Sequence, residues 1–378
     1  MTTYLMAGGG TAGHVNPLLA VSDRLGEIEP DAAVLVLGTA EGLESRLVPA
    51  RGYELLTIDK LPFPRRPNRA ALRFPAAWRR NVRQVAELIA ERSVDVVVGF
   101  GGYAAAPAYS AAKRARVPLV LHEANARPGL ANRLGSRYTS FVGVAFESTP
   151  LRHGRFVGMP LRREIETLDR SAERAAALQH FGLEDRPTLL VTGGSLGARR
   201  INETMITSAR ALTDTGYQVL HIQGGAAEFG DPAVPGYHLI DYSDRMDLAL
   251  AIADAAVSRA GAATVSELAA LGIPAVYVPY PVGNGEQRFN AAGVVGAGGG
   301  IVVDDAAFDP AWVHRTLIPL ITDRPRLLAM ADAAASAGVR DGSDRMVALV
   351  REATASARQG THAILERDRN RPKEDPDT

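Results

Sequence analysis

The sequence predicts an α/β protein built from two similar domains. Seven short apolar runs alternate along the chain with longer segments of helical periodicity. Runs that are apolar on both faces are typical of parallel strands covered by helices on each side. A glycine-rich turn follows one run in each half, and 378 residues exceed what one small core requires. The seven runs are residues 4–6, 34–37, 96–98, 119–121, 189–191, 219–222 and 275–278.

The composition is that of an ordinary globular protein, and it excludes several classes of function. Lys+Arg and Asp+Glu both number 42, so the formal net charge is zero, which argues against bulk attraction to nucleic acid or lipid. The absence of cysteine excludes disulfides and thiolate chemistry and fits a reducing compartment. No apolar run approaches the roughly 20 residues of a membrane span, and no cleavable signal is evident. We therefore expect a cytoplasmic protein without an integral membrane segment.

The first glycine-rich turn follows the run at 4–6 and has the spacing G-x-G-x-x-G at Gly8, Gly10 and Gly13. Asn16 and Pro17 are a plausible N-cap and first residue of the helix that follows. Backbone amides at such a helix start favour an anion. The turn therefore predicts a diphosphate site, with a tight strand-to-helix turn that binds nothing as the alternative.

His14 comes directly after the last of these glycines. At a helix start the imidazole is biased towards its neutral form, which can accept a proton. The alternative is a histidine that caps or packs the turn.

The same glycine spacing is also found in nicotinamide-dependent oxidoreductases, which require an acidic residue at the end of the second strand. Here the second apolar run is followed by Gly38 and Thr39, and Glu41 lies past the turn. The oxidoreductase interpretation therefore takes second place.

The second glycine-rich turn, residues 192–198, precedes a helical pattern over 201–212. It lacks the lysine of a Walker loop, which argues against kinase or ATPase chemistry. Ser195 can donate to a diphosphate oxygen or cap the helix, and the two roles are compatible. The recurrence of the turn indicates that the chain restarts, with a domain boundary near residues 159–164.

Polar side chains follow two other predicted runs, at 119–121 and 275–278, and also open a further predicted helix at 259–267. His122 and Glu123 come after the run at 119–121, either as catalytic groups or as a mutual hydrogen-bonded pair that ties down the loop. Thr264 and Glu267 have capping-box spacing, and from the residues alone a helix cap is the favoured account of Glu267.

A glycine-rich polar loop at 281–290 follows the last run. It lies where open α/β sheets bind ligands, with a solvated surface turn as the alternative.

Taken in order, these segments resemble the MurG family of peptidoglycan glycosyltransferases over nearly the whole chain up to its C-terminal tail. Leu196 stands where the family usually has glutamine, and Ala12 where glycine is commonest. Met159 and Asn16 also differ from the usual family residues, at positions that vary within the family. The matching motifs are residues 9–15, 101–103, 122–125, 158–162, 193–198, 259–267 and 286–290.

The resemblance implies a GT-B fold, in which two Rossmann-like domains face a cleft, and an inverting transfer that needs no cofactor or metal. The donor would be UDP-N-acetylglucosamine and the acceptor the 4-hydroxyl of undecaprenyl-diphospho-muramoylpentapeptide, at the cytoplasmic face of the membrane. The implied parts are an acceptor and membrane-association domain at 1–160, a UDP-sugar domain at 161–345, a helix at 346–365 packing back on the first domain, and a disordered tail at 366–378.

The resemblance also implies roles for individual residues. His14 is the first choice of general base, and Glu123 the second. Ser195 would hold the diphosphate, Glu267 the ribose and Gln287 the sugar hydroxyls. The other residues on the donor side are Thr11, Ala12, Gly13, Asn125, Arg162, Ala262, Ala263, Thr264, Val265 and Ser266, and those on the acceptor side are Asn16, Tyr103 and Asn132.

Residues 61–84 carry seven arginines among Phe63, Leu72, Phe74 and Trp78, and no acidic residue. Such a segment suits an anionic membrane surface, with a solvated basic helix as the alternative. It also argues against the nearest rival in the same fold, a tailoring glycosyltransferase that acts on a small aglycone. A non-catalytic module that binds a sugar nucleotide or a dinucleotide is a further alternative.

Overall fold

The computed structural model describes residues 1–64, 69–194, 197–225, 229–282 and 285–369. Within these ranges two parallel sheets follow one another along the chain, each between two layers of helices. The predicted α/β fold is confirmed, and every predicted apolar run lies in a strand or ends one residue beyond it. We refer to each sheet and its helices as the first and the second domain.

The first sheet is entirely parallel and has β1 at its centre. Its strands in the described residues are β1 (Thr3–Gly8), β2 (Ala33–Gly38), β3 (Glu54–Thr57), β4 (Val96–Gly101), β5 (Leu119–Glu123), β6 (Phe141–Val144) and β7 (Gly154–Phe156). Their spatial order is β3-β2-β1-β4-β5-β6-β7. Leu5 and Ala7 pack in one apolar cluster, and Tyr4 and Met6 in another on the opposite face, as the strand repeat of two requires.

Helices connect these strands and cover both faces of the first sheet. They are α1 (Ala12–Ile28), α2 (Glu44–Ala50), α3 (Arg69–Glu91), α4 (Ala105–Ala115) and α5 (Leu130–Gly135).

The second sheet repeats this plan with β8 in the place of β1. Its strands in the described residues are β8 (Thr188–Thr192), β9 (Gln218–Ile222), β10 (Tyr237–Ile240), β11 (Ala255–Ser258), β12 (Ala275–Tyr277) and β13 (Gly300–Val302). Their order is β10-β9-β8-β11-β12-β13, again all parallel.

The helices of the second half are shorter on average. They are α6 (Arg163–Glu166), α7 (Arg170–Phe181), α8 (Arg199–Thr207), α9 (Ala209–Thr213), α10 (Met246–Ile252), α11 (Ala262–Ala270), α12 (Glu286–Asn290), α13 (Ala292–Gly296), α14 (Pro310–Trp312), α15 (Ile318–Thr322), α16 (Arg324–Ala337) and α17 (Gly342–Arg369). A 3₁₀ turn at Asp305–Ala307 and a π-helical turn at Val313–Leu317 complete the set.

The two domains repeat one side-chain device at the start of the central strands. Asp95, just before β4, accepts a hydrogen bond from the amide of Thr3 at 2.8 Å. Asp254, just before β11, accepts one from the amide of Thr188 at the same distance. Each aspartate thus fixes the start of the neighbouring strand. This gives a physical reason for the similar sequences at 95–99, Asp-Val-Val-Val-Gly, and 254–258, Asp-Ala-Ala-Val-Ser.

Helix α17 leaves the second domain and packs on the first. Met346, Val347 and Val350 are buried in the apolar cluster that contains Tyr4 and Leu18. The helix continues to Arg369, past residue 366 where the sequence predicts a disordered tail. Residues 366–369 are glutamate, aspartate and arginines without glycine or proline, so they contain no helix breaker. The rest of the predicted tail, 370–378, lies outside the described residues.

Six strands in the described residues have no counterpart among the seven predicted runs: β3, β6, β7, β10, β11 and β13. Each has only three or four residues, and β7 is exposed throughout. Runs this short carry too little periodicity to be told from loops.

Candidate active site

The first glycine-rich turn joins β1 to α1 at the carboxyl edge of the first sheet. Its φ angles are +154° at Gly9 and +92° at Gly10, which L side chains rarely adopt. Helix α1 begins at Ala12 after the cap residue Thr11, so the predicted start at Asn16 and Pro17 was wrong. The glycines already turn the chain into the helix, and Pro17 inside it removes only one intrahelical amide.

A buried carboxylate that the sequence analysis missed lies beneath this turn. Glu44 is 1% exposed, and its Oε2 accepts a hydrogen bond from the Gly10 amide at 2.7 Å. Its Oε1 accepts from the amide and the hydroxyl of Thr39, both at 2.9 Å. Burial raises the pKa of Glu44, but the hydrogen bonds outweigh burial and the pKa is lowered overall. One amide of the predicted anion site is therefore already bonded to a negative charge.

Two glycines make room for this carboxylate. A Cβ at Gly9 would lie 2.3 Å from a Glu44 oxygen, and one at Gly42 would lie 2.0 Å from the other. In the sequence, the signal that could have identified Glu44 is the pair of glycines at 38 and 42, which precede it at the end of β2 and in the turn after it.

His14 lies in the first turn of α1 and is half-buried. Its Nδ1 is 3.3 Å from the Thr11 hydroxyl oxygen, and a Cβ at Gly101 would lie 3.2 Å from its Nε2. Burial lowers the pKa of His14, although a backbone hydrogen bond with Gly9 and the charge of Glu44 oppose the shift. Neutral imidazole, which can accept a proton, is thus the favoured form at neutral pH.

The turn after β4 packs on the first glycine-rich turn. Gly102 has a φ of +90°, and a Cβ there would lie 2.4 Å from the Gly9 carbonyl oxygen. Tyr103 follows at the surface, 39% exposed, with the Lys60 ammonium 5.4 Å from its ring centroid. Asn16, another candidate on the acceptor side, lies in the second turn of α1 and is half-buried.

Glu123 is buried and hydrogen-bonded on both carboxylate oxygens. Its Oε1 accepts from the Asn125 amide, and its Oε2 from the Gly129 amide, each at 2.9 Å. Asn132 donates to the same Oε2 at 3.0 Å and accepts from the Tyr109 hydroxyl at 2.7 Å. Burial raises the pKa of Glu123, and these hydrogen bonds oppose the shift without cancelling it. Glu123 and Asn132 therefore hold the loop at 124–129 from beneath, each only 2% exposed.

His122 points to the other face of β5 and does not pair with Glu123. Its Nε2 is 3.0 Å from the Gly158 carbonyl oxygen, so this nitrogen carries the proton. Its Nδ1 is buried without a hydrogen-bond partner in the described part of the chain. Burial lowers the pKa of His122 to about 4, so it is neutral. The mutual hydrogen bond that the sequence suggested for His122 and Glu123 does not form. Each side chain bonds to other groups, because neighbouring residues of a strand face opposite sides of the sheet.

The second glycine-rich turn joins β8 to α8. Gly194 and Gly197 have φ angles of +87° and +79°, and a Cβ at Gly193 would lie 2.4 Å from the Ala198 amide nitrogen. The Gly194 amide donates to the Thr192 hydroxyl at 3.3 Å, and the Gly197 amide to the Gly194 carbonyl at 2.9 Å. Ser195 and Leu196 lie outside the described residues, so the role of Ser195 stays a prediction.

Helix α11 points its N-terminus towards the same edge of the second sheet. Its cap residue is Gly261, and its first intrahelical bond runs from the Val265 amide to the Gly261 carbonyl at 2.9 Å. The amides of Ala262, Ala263 and Thr264 precede that bond and are available to a ligand. The capping-box prediction was wrong, because a helix that starts at Gly261 puts Glu267 in its second turn. Val265 is buried, and Ser266 lines a cavity of about 520 Å³ between the domains.

Glu267 pairs with Arg162, which lies in the segment that links the domains. The Arg162 Nη2 is 3.4 Å from the Glu267 Oε1, and both side chains are mostly buried. Burial raises the pKa of Glu267, and the Arg162 charge opposes the shift. The Nε of Arg162 is buried without a hydrogen-bond partner among the described residues.

Gln287 lies in α12, after the loop that follows β12. Its Oε1 accepts a hydrogen bond from the Tyr280 amide at 2.9 Å. This bond fixes the orientation of the side chain and directs the amide nitrogen, its donor group, to any further partner.

Asn290 closes α12 and makes hydrogen bonds to both domains, although the sequence analysis gave it no role of its own. Its Oδ1 accepts from the Ala126 amide at 2.9 Å, and its Nδ2 donates to the Ala260 carbonyl at 3.2 Å. The same Nδ2 lies 3.5 Å from the Oδ1 of Asn125. Only the folded chain brings these residues together, since 164 positions separate Asn290 from Ala126.

The basic segment at 61–84 runs into the first half of α3. Phe63, Phe74 and Trp78 form an aromatic cluster with ring centroids 5.5 to 5.8 Å apart. Leu72 is 83% exposed beside them. Arg65 and Arg66 lie outside the described residues, and the exposed arginines of the helix are Arg73, Arg79, Arg80 and Arg83.

The described residues contain neither a metal-binding cluster nor a membrane-spanning helix. No cluster of three or more His, Asp or Glu side chains there could hold a metal ion. No helix there has the length and apolar character to cross a membrane.

Comparisons with known proteins give consistent results for both domains. Residues 4–144 match the Glycosyltransferase family 28 N-terminal domain, and residues 188–346 match its C-terminal domain. The UDP-N-acetylglucosamine--N-acetylmuramyl-(pentapeptide) pyrophosphoryl-undecaprenol N-acetylglucosamine transferase of Leifsonia xyli subsp. xyli is 71% identical, over 94% of this chain and 100% of its own. The enzyme of the same name from Streptomyces coelicolor is 50% identical, over 93% and 98%.

Solved structures are similar over most of the chain as well. MurG of Acinetobacter baumannii superposes with a TM-score of 0.77 at 28% identity, over 93% of this chain and 100% of its own. A calicheamicin glycosyltransferase superposes with a TM-score of 0.64 at 19% identity, over 93% and 98%, which shows a common fold only.

Proposed function

The chain belongs to the MurG family of family 28 glycosyltransferases, and from this membership we propose that it transfers N-acetylglucosamine from UDP-N-acetylglucosamine to undecaprenyl-pyrophosphoryl-N-acetylmuramyl-pentapeptide. The observation that carries the proposal is the 71% identity to a transferase of that name over the relative's full length. The product is the disaccharide lipid precursor of peptidoglycan, with a β-1,4 linkage formed by inversion.

The donor would bind mainly to the second domain. The N-terminal amides of α11 at Ala262, Ala263 and Thr264 are donors for an anionic or carbonyl oxygen. Glu267 would accept from the ribose hydroxyls, and Gln287 would donate to the sugar. The Arg162 charge beside Glu267 supports this assignment, because it offsets the burial that raises the pKa of the Glu267 carboxyl.

The general base would be His14. Its imidazole is neutral, half-buried and at the carboxyl edge of the first sheet. Glu123 is the less suitable candidate because three hydrogen bonds occupy its carboxylate and only 2% of the residue is exposed. Glu123 would instead position the loop that carries Asn125.

The transfer itself needs one proton movement and one displacement. His14 removes the proton from the muramoyl 4-hydroxyl as its oxygen attacks the anomeric carbon, and the bond to the UDP oxygen breaks. Negative charge then builds on the leaving diphosphate. The second glycine-rich turn and the helix start after it would stabilise that charge through backbone amides.

The first domain would approach the lipid acceptor at the cytoplasmic face of the membrane. The exposed arginines of α3, with Leu72 and the aromatic cluster, combine positive charge and apolar area on one segment. Each basic side chain near an anionic surface contributes roughly 1 kcal/mol. A peripheral attachment of this kind needs no membrane-spanning helix.

The test is incubation with labelled UDP-N-acetylglucosamine and the lipid-linked muramoyl-pentapeptide in detergent, followed by chromatography of the lipid fraction. We expect a labelled lipid that requires both substrates. A parallel reaction offers a small hydroxylated aglycone in place of the lipid. Labelled aglycone without labelled lipid would identify a tailoring transferase, and no labelled product from folded protein would refute the proposal.

A further inference from the structure

Asn290 lies where the two halves of the candidate site meet. It is 1% exposed, so water cannot replace its partners. The Ala126 amide requires an acceptor and the Ala260 carbonyl requires a donor, which together determine the orientation of the carboxamide. Each end of the side-chain amide therefore binds a different domain.

On the first-domain side, the bond reaches the loop at 124–129. The Asn125 amide donates to Glu123 within its own domain, and the next amide, that of Ala126, donates to Asn290. The two peptide groups that flank Asn125 are thus held by different domains, one by Glu123 and the other by Asn290. Loss of either bond would let Asn125 change its orientation relative to the donor.

On the second-domain side, Asn290 joins the two elements assigned to the donor. Ala260 immediately precedes Gly261, the cap residue of α11. Gln287 lies three residues before Asn290 in α12. The carboxamide thereby connects the start of α11, the α12 segment and the Asn125 loop at a single point.

We propose that Asn290 is a positioning residue of the transfer reaction, which sets the Asn125 loop against the donor-binding helix starts α11 and α12. The proposal rests on the function proposed above. With 1% of its surface exposed, Asn290 would act through its hydrogen-bond partners and not on a reacting atom. Its loss leaves the donor-binding elements in place and displaces the group that approaches the sugar from the other domain, and a displacement near 1 Å can cost about 100-fold in rate.

The experiment compares Asn290→Ala with Phe289→Leu, a neighbour in the same short helix. The Phe289 ring lies 4.2 Å from the Arg127 guanidinium across the same interface, but the residue is 43% exposed. We expect Asn290→Ala to lower kcat/KM for transfer by about 10-fold to 100-fold, mostly in kcat. We expect Phe289→Leu to change it by less than about threefold, since exposed cation–π contacts are weak.

Two binding measurements accompany the rates. Calorimetric titration with UDP should give Kd values within about threefold of the wild type for both variants, since the helix starts are retained. Hydrogen exchange should show a faster amide at Ala126 in Asn290→Ala only. An unchanged Ala126 amide, unchanged transfer, or an equal loss in Phe289→Leu would overturn the proposal.

Asn290→Asp keeps the test informative if the alanine variant does not fold. An ionised aspartate still accepts from Ala126 but cannot donate to Ala260, whereas a protonated one can do both. The ratio of its kcat to that of the wild type should therefore rise as the pH falls, and a low, pH-independent ratio would contradict the proposal. A wild-type protein that transfers no sugar would refute the proposed function, while the Ala126 exchange would still decide the role of Asn290.

Discussion

The two glycine-rich turns occupy equivalent places in the two sheets but differ in what their amides bind. In the first turn, the Gly10 amide donates to the buried carboxylate of Glu44. In the second, the amides of Gly194 and Gly197 donate to a hydroxyl and a carbonyl, both uncharged. Amides of the same kind of turn are thus bonded to a negatively charged group in the first domain and, among the described residues, to uncharged groups in the second.

The difference indicates how a duplicated fold can divide one reaction. A turn that already holds a carboxylate is unfavourable for a diphosphate. It can instead fix a nearby imidazole, since Glu44 accepts from the Gly10 amide and the adjacent Gly9 backbone hydrogen-bonds with His14. A turn whose described partners are neutral would remain available to the proposed donor diphosphate. The glycine pattern therefore predicts the turn, and the surrounding side chains decide its ligand.

The largest expected effect separates the chemistry of the first turn from donor binding. His14→Ala should lower kcat by about 100-fold to 10,000-fold, because a general base contributes that much. The Kd for UDP should stay within about threefold, and the exposed His180→Ala serves as the control. Rates are measured in the lipid assay and affinity by calorimetry. Unchanged turnover would remove His14 as the base.

The pH dependence of the wild type follows from the same residue. The reactive form of His14 is neutral, and burial lowers its pKa from the usual 6.5. The rate should thus rise with pH through a midpoint below 6.5 and reach a plateau at higher pH. The residual rate of His14→Ala should lack that rise. A midpoint above 6.5 would contradict the assignment.

A matched pair of substitutions tests the division between the turns directly. Gly10 and Gly194 have similar positive φ angles, and a Cβ at either one meets no atom within 4 Å. Gly10→Ala and Gly194→Ala should therefore carry a similar backbone cost of about 1 to 3 kcal/mol. Gly194→Ala should weaken UDP binding, and Gly10→Ala should lower kcat while leaving the Kd for UDP unchanged. Equal effects on UDP affinity would mean that both turns bind the donor.

Glu44→Gln examines the carboxylate that distinguishes the first turn. An amide in its place cannot accept from both Gly10 and Thr39 with the same strength, so the free energy of unfolding should fall by about 1 to 3 kcal/mol. The folded-state pKa of Glu44 is lowered, so its contribution is present at neutral pH and is lost as the pH falls through that pKa. Denaturant unfolding at pH 7 and pH 3 should show a smaller acid loss in the variant. Equal acid losses in both proteins would argue against this role.

The smallest expected effect concerns the outer surfaces of the two domains. Arg79→Gln and Arg83→Gln should each weaken binding to vesicles that contain phosphatidylglycerol by about fivefold, which corresponds to roughly 1 kcal/mol per charge. Arg210→Gln, on the second domain, should have no effect on vesicle binding. Sedimentation with vesicles measures all three, and equal losses would show that the attraction is not specific to α3.

Much of the fold could be predicted because buried parallel strands appear in the sequence as short apolar runs. The paired aspartates at 95 and 254 even have a structural counterpart in their bonds to Thr3 and Thr188. The helix starts were less predictable. Asn16 and Pro17, and also Thr264 and Glu267, have the spacing of helix starts. Both helices nevertheless begin upstream of them, α1 after Thr11 and α11 after Gly261.

By itself, the sequence determined the two-domain α/β architecture, the places of both glycine-rich turns and the family resemblance, because these depend on local patterns and on motifs in order. The tertiary structure decided which groups share a hydrogen bond. It placed Glu44 under the first turn, directed both oxygens of Glu123 into a loop and joined Asn290 to Ala126 in the other domain. Such partners are far apart along the chain, and only the packing of strands and helices brings their atoms within about 3 Å.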